Sequence, residues 1–228
     1  MRLNVTLSAN AGICLDLGSM KIWVDAFHDR KVLGFSTVSP ELYDRIMNSD
    51  AFANPSVVCV THCHPDHYSE NLLRQALSFY PHAKLLIPDA SFGNEFTWEE
   101  KGVRLTFLRL THDGEAYANC LHYGILLTVA GKNILIPGDC RLCDTAFAEA
   151  VKGLEIDLAF LNFPWLTLNR AESFARQQIC PRQVVVYHLP FEKDDVNRFR
   201  IAAERSAEKW GNQAHLLMNP LETISLDI

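Results

Sequence analysis

The pattern of hydrophobic and polar positions predicts a chain that begins with strands alone. Residues 3–8, 12–17 and 20–25 each alternate, or stay apolar, over the few positions typical of a strand. Gly18 and Ser19 separate the second strand from the third and predict a tight hairpin. The first part of the chain is therefore expected to form an antiparallel sheet.

Strands and helices alternate after this opening, and the alternation recurs in the second half. Further strands are predicted at residues 57–60, 84–87, 103–110, 121–129, 132–136, 157–162, 183–187, 214–217 and 223–226. Helices are predicted at residues 41–48, from the N-cap Ser69 to Tyr80, and at 144–152, 170–179 and 192–210. The last helix would bury a face that includes Val196 and Ala203, and the last two strands would complete a second sheet. This order predicts an α/β fold.

Two connecting segments could lie beside a functional site. Residues 26–40, which include His28, are expected to form either a substrate rim or an ordinary charged surface loop. Residues 163–165 form an apolar loop that either lines a substrate pocket with Trp165 or packs in the core.

The richest candidate chemistry lies directly after the apolar run at residues 57–60. Residues 62–67 contain His62, His64, Asp66 and His67, all of which are good ligands for a divalent metal. If the extended backbone continues past the strand, His62 and His64 point to the same side, because side chains alternate along a strand. Asp66 and His67 fall in the following turn, where they could hold a second ion. Packing these groups together without a cation would be costly, so the sequence predicts a metal site.

The order His-x-His-x-Asp-His after a hydrophobic strand resembles the signature of the metallo-β-lactamase superfamily of metal-dependent hydrolases. The resemblance implies a four-layer αβ/βα sandwich, formed here as a single domain over residues 1–228. It also implies that Asp25, at the end of an early strand, orients the His-rich turn; on spacing alone, Asp25 could equally be an ordinary turn residue.

The resemblance predicts three more ligands, in a fixed order along the chain. A histidine after residues 103–110 is present as His112, with Asp113 as its competitor; an Asp after a Gly is present as Asp139, and a late histidine as His188. By resemblance, His62, His64 and His112 hold one ion, Asp66, His67 and His188 hold the other, and Asp139 bridges them. Asp66 and Asp139 are the expected catalytic carboxylates, Asp66 as a proton acceptor. The remaining histidines, His82, His122 and His215, match no motif position and are interpreted as structural.

The cofactors expected from this ligand set are two divalent metal ions. Nitrogen and oxygen ligands suit zinc, which is the first choice, and also manganese or iron. Two dications sharing a water lower its pKa from about 15.7 toward 7, so hydrolysis by a metal-activated water is the expected reaction.

The residues around the predicted ligands narrow the choice of substrate. His112, Asp113 and Gly114 resemble the branch that contains ascorbate-phosphate lactonase and related phospholipid phosphodiesterases, and they lack the Thr-Pro-Gly-His of thioesterase-like members. No long insertion of the nucleic-acid-processing type separates Asp139 from His188, and no Glu replaces His64, as it does in flavo-diiron reductases. The expected substrate is a small phosphorylated compound, a lactone or a phosphodiester. The alternatives are a thioesterase or nuclease of the same superfamily and a non-catalytic metal-binding or regulatory module.

The composition of the chain limits the class of protein and the kind of partner it can have. The chain has 228 residues, 48% of them hydrophobic and 21% charged, with a formal net charge of −6. This is the profile of a globular protein, and its acidic balance argues against nucleic acid as a partner. No apolar run approaches the roughly 18 residues of a membrane span, and the N-terminal residues alternate like a strand, so a cytoplasmic protein with a small-molecule substrate is expected. The sequence leaves homo-oligomerisation open.

The seven cysteines are odd in number, and in a chain of this length they indicate a reducing compartment rather than a disulfide framework. Cys140 and Cys143 form a Cys-x-x-Cys pair, which either packs beside Asp139 or acts in redox chemistry. Cys63 should point away from the metals.

Overall fold

The computed structural model describes residues 1–32 and 34–228. The chain divides into two compact units, and each contains one large sheet with helices. The first unit comprises Met1–Ile87, His188–Arg200 and Leu217–Ile228, and the second comprises Pro88–Tyr187 and Ile201–Leu216. No helix among the described residues has the length and apolar character needed to cross a bilayer.

The sheet of the first unit has six strands. In chain order they are β1 (Arg2–Leu7), β2 (Ile13–Asp16), β3 (Lys21–Val24), β4 (Val57–Cys59), β5 (Lys84–Leu86) and β13 (Thr223–Asp227), and their spatial order is β13-β1-β2-β3-β4-β5. β13, β1, β2 and β3 pair antiparallel, whereas β3, β4 and β5 pair parallel. Because β3 and β4 are parallel neighbours, their carboxyl ends bring Asp25 beside the histidine-rich turn.

Two helices accompany this sheet, α1 (Pro40–Met47) and α2 (Glu70–Phe79). Ser39 caps α1 and Ser69 caps α2, each by accepting a hydrogen bond from a backbone N–H of the first turn. Helix α2 buries Leu73 and Ala76. Its capped start fixes where the chain leaves the histidine-rich turn.

The sheet of the second unit has seven strands. They are β6 (Glu95–Glu100), β7 (Val103–Arg109), β8 (Tyr123–Val129), β9 (Lys132–Ile136), β10 (Leu158–Asn162), β11 (Gln183–Tyr187) and β12 (Ala214–Leu216), in the spatial order β12-β11-β10-β9-β8-β7-β6. Strands β6 to β9 form an antiparallel meander, and β9 to β12 are parallel. The helices α3 (Thr145–Val151), α4 (Pro164–Thr167) and α5 (Asn169–Phe174) belong to this unit.

Several sequence-based assignments are wrong. The predicted helix 192–210 is broken: α6 covers only Phe199–Ala207, and Val196 is 77% exposed instead of buried. Residues 163–165 do not form a loop, because α4 starts at Pro164 and Trp165 is fully buried against Phe147 and Phe174. Strand β6 was not predicted. Of the last two strands, only β12 joins the second sheet, while β13 pairs with β1.

Candidate metal centre

The histidine-rich turn follows β4 and is closed by its own backbone. The carbonyl oxygen of His64 accepts hydrogen bonds from the N–H groups of His67 (3.0 Å) and Tyr68 (2.9 Å). The side chains of His62, Asp66 and His67 are buried, and His64 is half-buried. Ligand atoms of His62 and His64 lie within 4.8 Å of each other, although β4 ends at Cys59, before either residue.

Asp25 holds this turn from the neighbouring strand. Its Oδ1 accepts a hydrogen bond from the Thr61 N–H (2.7 Å), and its Oδ2 accepts from the Thr61 hydroxyl (2.6 Å) and from Nδ1 of His67 (2.9 Å). Asp25 and His67 are both fully buried at the side chain. The turn between β1 and β2 packs against the backbone of Asp25 because Gly12 has no side chain: a Cβ at Gly12 would lie 2.7 Å from the Asp25 carbonyl oxygen. Asp25 therefore supports the turn, as the resemblance implies.

These contacts determine the protonation of two imidazoles. Asp25 only accepts, so Nδ1 of His67 carries the proton and Nε2 carries a lone pair. Thr61 donates its single hydroxyl proton to Asp25, so the Thr61 oxygen accepts from Nδ1 of His62, 3.0 Å away. In the neutral form of both rings the lone pair therefore lies on Nε2, the form that binds a divalent cation.

His188 lies beside these groups within the first unit. It follows β11, adopts a left-handed backbone conformation with φ of 58°, and donates its N–H to the carbonyl oxygen of Asn10 (3.1 Å). Its Nε2 lies 3.1 Å from Nε2 of His67. Two ring nitrogens at this distance need a proton or a cation between them, because two lone pairs would repel. Ligand atoms of Asp66, His67 and His188 all lie within 4.8 Å of one another.

The second unit brings His112 and Asp139 together. The segments that carry them are joined by backbone hydrogen bonds, from Asp113 N–H to the Asp139 carbonyl and from Arg141 N–H to the Thr111 carbonyl, both 2.8 Å. Nδ1 of His112 donates to the Asp113 carbonyl oxygen (2.6 Å), and Nε2 lies 4.0 Å from Oδ2 of Asp139.

Asn162 fixes the Asp139 carboxylate. Strands β9 and β10 are parallel neighbours, so Asp139 and Asn162 lie near the same edge of the sheet. Nδ2 of Asn162 donates to Oδ1 of Asp139 (3.2 Å). This bond directs Oδ2 towards His112. The competing candidate, Asp113, has an exposed side chain and contributes its backbone instead.

Cys140 and Cys143 carry thiols that are not joined in a disulfide, and Cys143 is half-buried. Cys140 is buried, and burial raises the pKa of its thiol well above the usual value, which makes it a poor nucleophile. Cys63 is exposed, whereas its neighbour His62 is buried.

The remaining histidines have structural surroundings. His28 is fully buried, and burial, followed by the nearby His67, lowers its pKa to about 4, whereas Asp29, Arg30 and Lys31 directly after it are exposed. His122 is buried with its ring in edge contact with His112 (centroids 5.3 Å apart). Nε2 of His215 lies 3.1 Å from Oε1 of Gln183, while His82 is exposed.

Sequence reasoning missed three residues that support these side chains: Asn10, Thr61 and Asn162. Each is a single polar residue at a strand end or in a turn, and such residues are common in any fold. The signal was their position, since Thr61 lies two residues after β4 and Asn162 is the last residue of β10.

No protein-family model matches the sequence, and no curated protein matches it. Solved structures do match. They include the metallo-β-lactamase fold protein YhfI from Bacillus subtilis (TM-score 0.66, 12% identity, 98% of this chain and 99% of that one). The metallo hydrolase Igni18 from Ignicoccus hospitalis matches over the full length of both chains (TM-score 0.62, 14% identity). The diiron β-hydroxylase CmlA from Streptomyces venezuelae matches 99% of this chain with 54% of its own length (TM-score 0.55, 14% identity). The chain has the metallo-β-lactamase fold, as predicted.

Proposed function

We propose that this protein is a metal-dependent hydrolase with two divalent ions. His62, His64 and His112 would hold one ion, Asp66, His67 and His188 would hold the other, and Asp139 would contribute its carboxylate to both. The proposal rests above all on one observation: Nδ1 of His62, His67 and His112 each meets a protein oxygen at 2.6–3.0 Å, so that in the neutral rings Nε2 carries the lone pair.

The donor set fits a divalent ion on chemical grounds. The ligands are imidazole nitrogens and carboxylate oxygens without a thiolate, which suits zinc first and manganese or iron as alternatives. The 3.1 Å approach of the His67 and His188 Nε2 atoms supports a cation, since a cation accepts both lone pairs at once. Bound ions supply Lewis acidity and lower the pKa of a coordinated water towards about 7.

The chain's own residues then have separate roles. Asp25 and Thr61 fix the tautomers of His67 and His62, and Asn162 keeps one oxygen of Asp139 engaged so that the other is available to the ions. Asp66, whose side chain is almost buried, accepts the proton that the attacking water loses. An ester-like bond is the target of this chemistry, with a small phosphorylated compound, a lactone or a phosphodiester as substrate. The ascorbate-phosphate lactonase branch is the proposed relative.

The test combines metal analysis with a substrate panel. Zinc-loaded protein should contain two ions per chain and hydrolyse at least one of three probes, namely bis-p-nitrophenyl phosphate, a lactone and a thioester. His64→Ala should lower turnover of that probe by at least about a hundredfold, the scale at which removal of one catalytic contribution is felt. The exposed His82→Ala, which removes an imidazole elsewhere, should keep wild-type turnover.

The same experiment distinguishes the alternatives. Two bound ions with no turnover of any probe would favour a non-catalytic metal-binding module. Turnover of the thioester alone would favour a thioesterase. Hydrolysis of a nucleic acid, tested as a fourth probe, without turnover of the lactone or the thioester would favour a nuclease. The cytoplasmic location and any homo-oligomer stay predictions.

A further inference from the structure

Asn10 touches two segments that carry ligands of the proposed second ion. It lies in the turn between β1 and β2 and is fully buried. Its side-chain Nδ2 donates to the carbonyl oxygen of Asp66 (3.2 Å), and its own carbonyl oxygen accepts from the N–H of His188 (3.1 Å). One residue thus reaches both the histidine-rich turn and the segment after β11.

The bond to Asp66 acts on two ligands at once. The Asp66 carbonyl belongs to the planar peptide that links Asp66 to His67. Fixing the orientation of that plane restricts ψ of Asp66 and φ of His67, and therefore the direction of both side chains. His67 is held at its far side by Asp25, so the peptide is constrained from two directions.

The bond to His188 stabilises an unfavourable backbone. His188 has φ of 58°, a region that residues with a Cβ rarely occupy and that persists only when neighbouring contacts impose it. The N–H of His188 donates to Asn10, and the ring packs edge-on against Phe35 with centroids 4.6 Å apart. In this conformation Nε2 of His188 reaches Nε2 of His67.

The turn that carries Asn10 is itself tightly held. Backbone hydrogen bonds join Ser8 to Gly12 (2.8 Å) and Gly12 to Ala9 (2.7 Å), and the Ser8 hydroxyl donates to the Ala26 carbonyl (2.8 Å). Asn10 adopts φ of 52°, which asparagine tolerates better than most residues. Its Oδ1 is buried with no hydrogen-bond partner among the described residues, so the side chain contributes through its amide donor.

From these contacts we infer that Asn10 is a positioning residue that assembles the ligands of the second ion, Asp66, His67 and His188, without contacting that ion. This inference rests on the proposed function. The amide of Asn10 holds the Asp66 carbonyl, and its backbone carbonyl holds the His188 N–H, so both bonds act on carriers of the second ion's ligands. Removal of the amide should therefore weaken binding of the second ion much more than binding of the first.

The test is stepwise zinc binding to metal-free protein, followed by calorimetry. Asn10→Gly keeps the left-handed backbone and the carbonyl that accepts from His188, and removes only the amide donor. We expect the second ion to bind 10- to 100-fold more weakly, the usual effect of losing an orienting partner, and the first to change less than about twofold. Asn10→Asp keeps the side-chain volume but turns a carboxylate oxygen towards the Asp66 carbonyl, so its second ion should bind more weakly still.

A matched control is Asn54→Gly. Asn54 also has a left-handed backbone (φ of 55°) but is exposed in the segment between α1 and β4, so both ions should bind as in the wild type. Titration with cobalt(II) gives a second readout: the absorption bands of one bound cobalt ion should change in the Asn10 variants and those of the other should not.

The outcomes separate the two proposals. Wild-type protein that binds no zinc would refute the proposed function and this inference with it. Wild-type protein with two ions, together with an Asn10→Gly variant that binds both equally well, would refute the inference alone. Equal weakening of both ions, or failure of both Asn10 variants to fold by circular dichroism, would show that Asn10 serves the fold rather than the second ion, and would also overturn it.

Discussion

Asp25 holds the histidine-rich turn by accepting hydrogen bonds. It receives three hydrogen bonds, two from Thr61 and one from His67, and it is almost inaccessible to solvent. A buried carboxylate is costly unless such donors surround it. Here the same hydrogen bonds place the proton of His67 on Nδ1 and orient the Thr61 hydroxyl, whose oxygen accepts from Nδ1 of His62. The stability of the turn and its readiness for a cation therefore have the same cause.

Replacing Asp25 by Asn tests this dependence. The backbone of Asp25 is left-handed with φ of 51°, which Asn accepts, so the substitution changes hydrogen bonding more than shape. The amide NH₂ must face a donor whichever way it turns, either Thr61 N–H or the pair formed by the Thr61 hydroxyl and His67. We expect the free energy of unfolding of metal-free protein to fall by about 1–3 kcal/mol and zinc affinity to fall by about 10- to 100-fold.

Urea unfolding and zinc titration measure these two quantities. The exposed Asp50→Asn carries the same chemical change and should match the wild type in both. Unchanged zinc affinity in Asp25→Asn would show that the tautomers are set by other contacts.

At the level of single residues, the sequence identifies groups whose chemistry is rare and misses groups whose chemistry is common. Four potential ligands within six positions can be recognised because side chains of this kind seldom cluster so densely unless they bind a cation. Asn10 and Asn162 could not be recognised, since an isolated asparagine gives no sign of the carbonyl or carboxylate that it will meet after folding. Their partners, Asp66 and Asp139, are 56 and 23 residues away in sequence.

Among the elements, α6 shows how a cap overrides a hydrophobic period. The apolar positions predict a helix from residue 192, but Arg198 has φ of 58° and interrupts it, and the helix starts at Phe199. Oδ1 of Asp195 accepts from Phe199 N–H (2.8 Å) and Oδ2 accepts from Arg200 N–H (3.0 Å). These donors would have no partner inside the helix, so Asp195 satisfies the first turn of α6.

We expect Asp195→Ala to destabilise the protein by about 0.5–2 kcal/mol, because two N–H groups lose their acceptor and water replaces it only partly. Val196→Ala at the next position should change the free energy of unfolding by less than about 0.5 kcal/mol, since that side chain is 77% exposed. Urea denaturation of both variants measures the difference. Equal effects would mean that the helix is stabilised by packing and that the Asp195 bonds contribute little.

Strand prediction succeeded for the buried strands and for the edge strands β5, β12 and β13, and it failed at the edge strand β6. Strands β4 and β11 are rich in valine and fully or mostly buried, so their pattern is plain in the sequence. Strand β6 lies at the edge of its sheet and none of its residues is fully buried, with three glutamates among six positions. Its formation depends on pairing with β7, which local sequence does not encode.

For the whole molecule, the fold was predictable and the reaction was not. The chain's ends meet through pairing of β1 with β13, a contact of residues more than two hundred positions apart that no local pattern predicts. The fold itself followed from the metal motif together with the order of elements. Because a metallo hydrolase and a diiron β-hydroxylase both share this fold, the ligands and their surroundings, rather than the architecture, decide between reactions.

His28 should affect how the free energy of unfolding of the whole protein depends on pH. Nε2 of His28 donates to the Ser36 carbonyl (3.2 Å), and burial, aided by the neighbouring His67 and His188 and opposed by Asp66, lowers its pKa to about 4. In the unfolded chain His28 titrates near pH 6.5. Between pH 6.5 and 4, His28 therefore binds a proton in the unfolded chain but not in the folded one. The resulting stability is complete above pH 6.5 and is lost as the pH falls towards 4.

His28→Gln keeps a donor for Ser36 and removes the titration. Between pH 7 and pH 4, metal-free wild-type protein should lose about 3 kcal/mol more of its free energy of unfolding than the variant, as a pKa difference of this size requires. Urea titrations at each pH, with chelator present throughout, measure both curves. Parallel curves would show that His28 is protonated in the folded protein, in conflict with its complete burial.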